Sequence, residues 1–226
     1  GPCVITDATL SAPAISITGP NDLTIIRSAL ESPQITINRR NIDITQDSTI
    51  AAAQLAITAG SLQLSDITFL SVANGMIIVS GPSSPGLIIE GTVAFENSVI
   101  TIRSTTGVLA TNTVFAAVDA SNVQMLGSGG SQGAAFVYDA REVTISEDSV
   151  LKLSGTAMGD QQIGLAMTKP DEVAWTISGR ENFTISGTCN GAGPCTAIQA
   201  TAQTIQRVTI IAETHAGGIG VDFIGD

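Results

Sequence analysis

Apolar and small polar residues alternate along most of the chain, as in Ala14-Ile15-Ser16-Ile17, Leu23-Thr24-Ile25-Ile26, Ile35-Thr36-Ile37-Asn38, Ile42-Asp43-Ile44-Thr45 and Leu55-Ala56-Ile57-Thr58. A period of two sends successive side chains to opposite faces of an extended backbone, so these runs predict β-strands. They recur about every ten residues and are separated by Gly, Pro, Asn, Asp or Ser, which is turn chemistry. The best helical candidate, Ile50 to Ala59, is short and merges into the alternating Leu62-Gln63-Leu64. The prediction is therefore all-β.

Short strands fit a sandwich, a barrel or a solenoid, and internal repetition decides between them. Val143-Thr144-Ile145 followed by Val150-Leu151-Lys152-Leu153-Ser154-Gly155-Thr156 is echoed by Trp175-Thr176-Ile177 with Phe183-Thr184-Ile185-Ser186-Gly187-Thr188, and again by Val208 to Thr214. A small-residue strand precedes each echo, beginning near Gly133, Ile163 and Thr196. Matching Thr156 to Thr188 and Thr188 to Thr214 gives unequal spacings, which a solenoid absorbs as corner loops of different length. No Asn-Gly hairpin turn joins two matched strands, which favours parallel stacking. The expectation is a right-handed parallel β-helix, a three-sided solenoid occupying 3–226 as one domain. Its first half (3–130) reads as irregular and its second (131–226) as the clearer repeat. Gly1-Pro2 reads as a protease scar left by a tag.

Composition narrows the partners. The apolar fraction is 43% but aromatics are only 4%, so the core is expected to consist of Ile, Val, Leu and Ala. A net charge of −11 opposes a phosphate backbone or an anionic bilayer, and Arg39-Arg40 is the only adjacent basic pair. No nucleic acid and no membrane insertion are expected.

Candidate chemistry is sparse. Cys189 and Cys195 bracket Asn-Gly-Ala-Gly-Pro, too wide a spacing for a C-x-x-C knuckle; they read as a disulfide-closed loop, with two free thiols in a reducing compartment as the alternative. The single histidine, His215, lacks a nucleophile or ligand motif around it, so neither a metal nor a cofactor is expected. Glycoside hydrolysis needs two carboxylates on one face, whereas Asp7, Asp22, Asp47, Asp119 and Asp160 stand singly at turns. An ice-binding face would need Thr-x-Thr on coil after coil, and only Thr111-Asn112-Thr113 qualifies. What remains is a long acidic surface with a few large side chains. Tyr138, Arg141, Trp175 and Arg180 are the candidate receptor contacts, although Trp175 takes the place of Val143 in the overlay and so also fits the core. Pro82-Ser83-Ser84-Pro85 and the stretch from Gly127 to Gly133 read as protruding loops.

The Ser-Gly-Thr strand endings, the Val-Thr-Ile and Phe-Thr-Ile strings, and Asn182-Phe-Thr-Ile-Ser-Gly-Thr-Cys189-Asn-Gly-Ala-Gly-Pro-Cys195-Thr-Ala-Ile resemble the degenerate repeats of filamentous-haemagglutinin-type exoproteins of two-partner secretion. That group includes adhesins and the CdiA-like stalks of contact-dependent inhibition systems. The resemblance is clearest from about residue 130 onward. It implies export through an outer-membrane secretion pore, a location outside a Gram-negative cell, and attachment to an outer-membrane protein or glycan on a target cell. Neither an Asn-Pro-Asn secretion motif nor a toxin-like C-terminal module is seen, which would make the chain an interior piece of such a fibre. A polysaccharide-degrading β-helix and a passive stalk are the alternatives.

Overall fold

A computed structural model describes residues 1–81, 85–129, 134–146, 148–158, 163–167, 174–177, 183–190, 195–200, 209–214 and 218–223. Among these there is no helix, and the strands pair in parallel across one continuous ladder. The fold is a parallel β-helix. Each coil contributes three strand segments, and equivalent segments stack from coil to coil.

The first face stacks Cys3, Leu23, Ile42, Leu62, Leu87, Val108, Phe136, Leu165, Ile198 and Val221 in register. The second face stacks Leu10, Leu30 and Ile50 in the early coils, and Ile67, Val93, Phe115, Val143 and Trp175 further along. The third stacks Ile15, Ile35, Leu55, Gly75, Ile100, Val123, Leu151 and Phe183. Alternation turns one residue of each pair into the bore, where Ile25, Ile37, Ile57, Leu64 and Ile77 are almost wholly shielded. Aliphatics do fill most of the interior, but Phe69, Phe95, Phe115, Phe136 and Phe183 are fully buried as well, with Phe69 stacked on Phe95 at 5.3 Å between ring centroids.

Corners are made by residues that tolerate left-handed backbone. After the first face the bend falls on Asp7, Arg27, Gln46 and Asp47, Asp66 and then Gly91; after the second it falls on Ser71, Asn97, and Asp119 and Ala120. Aspartate and asparagine accept this conformation because their side chains can bond to nearby backbone. Arg27 is held there by its neighbours, donating to both carboxylate oxygens of Asp7 at 2.7 and 2.8 Å and to Gln46 at 2.7 Å.

Buried serines close the corners from inside. Backbone N–H groups of Ala8 and Ser28 donate to the hydroxyls of Ser28 and Ser48 one coil on, and those of Val72, Ser98 and Ser121 donate to Ser98, Ser121 and Ser149. Each such hydroxyl satisfies a donor that the turn removes from the strand ladder. At the third corner Gly60 and Gly81 lie against each other, and a Cβ on Gly81 would run into the Gly60 backbone.

Several expectations change in detail. Thr156 does lie opposite Thr188, but Glu213 rather than Thr214 follows it, and Thr214 lies opposite Cys189. The one-residue difference keeps Ile210 opposite Ile185 and sends Ile211 to the outside, as side-chain parity requires. The early coils are the evenly spaced ones: Ile15, Ile35, Leu55 and Gly75 pair at intervals of 20 residues, whereas Leu151 and Phe183 are 32 apart. Gly127 is buried within strand Asn122–Ser128 and is no loop residue. Residues 82–84 and 130–133 lie outside the described residues.

Candidate functional site

A groove of about 380 Å³ runs along the first face between the early coils and the chain at Pro85 and Gly86. Register builds its floor. Thr24, Asp43, Gln63 and Ile88 are successive outward partners on neighbouring strands, between the inward pairs Leu23/Ile25, Ile42/Ile44, Leu62/Leu64 and Leu87/Ile89. With strands ~4.8 Å apart, the four side chains form a row along the helix axis, one per coil.

The wall is a second row, at the corner that leads into this face. Asp22 accepts from Arg40 Nε at 3.1 Å, from Arg40 Nη2 at 3.2 Å and from Asn41 Nδ2 at 2.8 Å. Ser61 Oγ in turn donates to Asn41 Oδ1 at 2.8 Å, so Asp22, Asn41 and Ser61 form one chain of hydrogen bonds across three coils. The Arg40 guanidinium holds the Asp22 carboxyl below the usual carboxylate range.

Asp43 is the opposite case. Its Oδ1 is shielded from solvent and has no hydrogen-bond partner, and burial raises its pKa above the ordinary value. An unpaired carboxylate oxygen beside a groove is chemically unfinished, since burying a polar atom without a partner is costly. The two carboxylates thus come from adjacent coils with their pKa values pushed apart.

The expected contacts are not gathered into this groove. Tyr138 and Arg141 lie in strand Ala134–Ile145, with Tyr138 opposite Ala110 and Met167 on the first face. Trp175 lies opposite Val143 on the second face, at a position where Val143 is buried. The side chains of these three, and Arg180 altogether, lie outside the described residues, as does His215. Cys189 and Cys195 are joined in a disulfide with their Cα atoms 6.2 Å apart, and they pack with Ala197. That spacing lies in the normal range for the bond. Cys3 is free. Sequence reading missed Asp43 and Gln63 because each looks like an ordinary outward strand position. The available signal was the recurrence of Asp22-Leu-Thr-Ile, Asn41-Ile-Asp-Ile and Ser61-Leu-Gln-Leu, which places the three outward residues in one row.

Among the described residues no three His, Cys, Asp or Glu side chains group to hold a metal. No family model, curated protein or solved structure matches the chain.

Proposed function

We propose that the chain is a non-catalytic, surface-exposed binding segment of a large secreted bacterial exoprotein, one that attaches to a receptor on a target cell. The observation that carries this is the first-face groove, where one outward side chain per coil forms a row that is polar at Thr24, Asp43 and Gln63 and includes a carboxylate with no protein partner. The resemblance of the C-terminal repeats to filamentous-haemagglutinin-type exoproteins supports export through an outer-membrane pore in a Gram-negative organism, and the Cys189–Cys195 disulfide fits an oxidising location. Binding of the labelled chain to panels of bacterial and host cells, read by flow cytometry, tests the proposal. Saturable attachment to one cell type is expected; absence of attachment to any of them overturns it.

A second reading has its own observation in its favour. Asp22 and Asp43 line one groove from adjacent coils with pKa values displaced in opposite directions, and a glycosidase separates its base from its acid by such a displacement. Asp22, however, is already engaged by three donors, while hydrolysis needs a second carboxylate free to reach water or the anomeric carbon. Binding is therefore favoured, and release of reducing sugar from a polysaccharide panel would reverse that preference.

A further inference from the structure

We infer that the first-face groove binds an uncharged saccharide chain lying along the helix axis, with Asp43 as the central acceptor; this rests on the attachment role proposed above and names the class of receptor. The lining combines donors and acceptors. Asp43 lines the groove with a carboxylate that no protein group bonds, its Oδ1 shielded and its Oδ2 the oxygen open to a ligand, Gln63 presents an amide with both functions, and Thr24 and Ser61 present hydroxyls. A ligand that uses all of them must itself donate and accept at closely spaced points, as sugar hydroxyls do.

The alternatives match less of the lining. A lysine or arginine side chain from a protein only donates, so it would satisfy Asp43 and leave the amide hydrogens of Gln63 without a partner. An acidic sugar or a phosphate would meet Asp22 and Asp43 together, in a chain of net charge −11. Ile88 and Pro85 at the far end offer an apolar surface for the C–H faces of a sugar ring. Because the floor residues are stacked across strands, the ligand's repeat runs perpendicular to the strands and parallel to the rod.

The test is a glycan array probed with the whole chain, followed by titration calorimetry with the best neutral oligosaccharide. The expected result is binding that falls at least tenfold in Asp43→Asn and in Gln63→Ala, and is unchanged in Arg27→Ala, which alters a corner outside the groove. Circular dichroism confirms that each variant keeps its β-structure. Should Asp43→Asn disturb the fold, Thr24→Ala and Ser61→Ala take its place with the same expectation.

Attachment to cells that persists after glycosidase treatment, with no array signal, overturns the saccharide inference and leaves the attachment role standing. Absence of both array signal and cell attachment removes both. Saccharide binding that is indifferent to Asp43→Asn and Gln63→Ala places the ligand elsewhere, and binding of lysine-rich peptides lost in Asp43→Asn assigns the groove to a cationic protein; either outcome overturns the inference.

Discussion

Asp22 and Asp43 share one groove but contribute oppositely to stability, and pH separates them. Asp22 is held charged by Arg40, so its folded-state pKa lies below the unfolded value. Its contribution is complete above the ordinary pKa of 3.8 and is lost as pH falls through the lower folded value. Asp43 has a folded pKa raised by burial, so its charged form opposes folding at neutral pH, and that penalty fades as pH falls through the raised value toward 3.8. Thermal melts of the free chain should therefore show Asp43→Asn melting above the parent at pH 7 and converging with it in acid, while Asp22→Asn melts below the parent at pH 7. A higher melting temperature for Asp22→Asn at pH 7 would contradict the assigned ion pair. The outward direction of Asp43 was legible from alternation alone. Its isolation was not, because that depends on Thr24 and Gln63 lying above and below it, and the register between coils is a long-range property.

At the level of strands and corners, the buried serines are the most exposed to test. Ser121 Oγ accepts from the Ser98 N–H at 3.0 Å and lies 2.9 Å from the Phe95 carbonyl oxygen and 2.6 Å from that of Val118, so it ties the corners of two successive coils together. Ser121→Ala leaves the Ser98 N–H buried without a partner, at a cost of about 1–3 kcal/mol. A lower urea midpoint and faster exchange of the Ser98 amide hydrogen are expected. Asn122→Ala, one residue on and exposed, should stay within about 0.5 kcal/mol. These serines explain which parts of the fold could be read in advance. Alternation revealed the strands because inward Ile, Leu and Val differ sharply from outward polar residues. It did not reveal the even early spacing, because Ile15, Ile35 and Leu55 satisfy the same position with different neighbours, while the recurring Ser-Gly-Thr motif drew the eye to coils of unequal length. The same motif misplaced Thr214 by one residue, since matching a hydroxyl to a hydroxyl ignored the inward position of Ile185.

For the molecule as a whole, a solenoid is stabilised coil against coil, so whole coils are removable if the cut respects register. Deleting residues 100–122 joins Val99 to Val123, which occupies the inward third-face position that Ile100 vacates. Deleting residues 35–54 likewise joins Gln34 to Leu55, the partner of Ile35, but it also removes Asn41 and Asp43 from the groove. Both shortened chains should keep a β-sheet circular dichroism spectrum and a cooperative melt. A passive stalk that only supplies reach would treat the two deletions alike in cell attachment. A groove that recognises its ligand distinguishes them: attachment survives loss of 100–122 and disappears with loss of 35–54. An odd-sized cut, removing 100–121 and 123 together with Asn122 and Gln124 to leave Val99 joined to Met125, keeps parity because Met125 is the inward partner of Ile102, whereas a cut that joins Val99 to Gln124 turns the rest of that strand inside out and should abolish the melt. Equal attachment by the two register-preserving deletions would assign the chain to the stalk, and loss of folding in both would mean that the early and middle coils are not separable units.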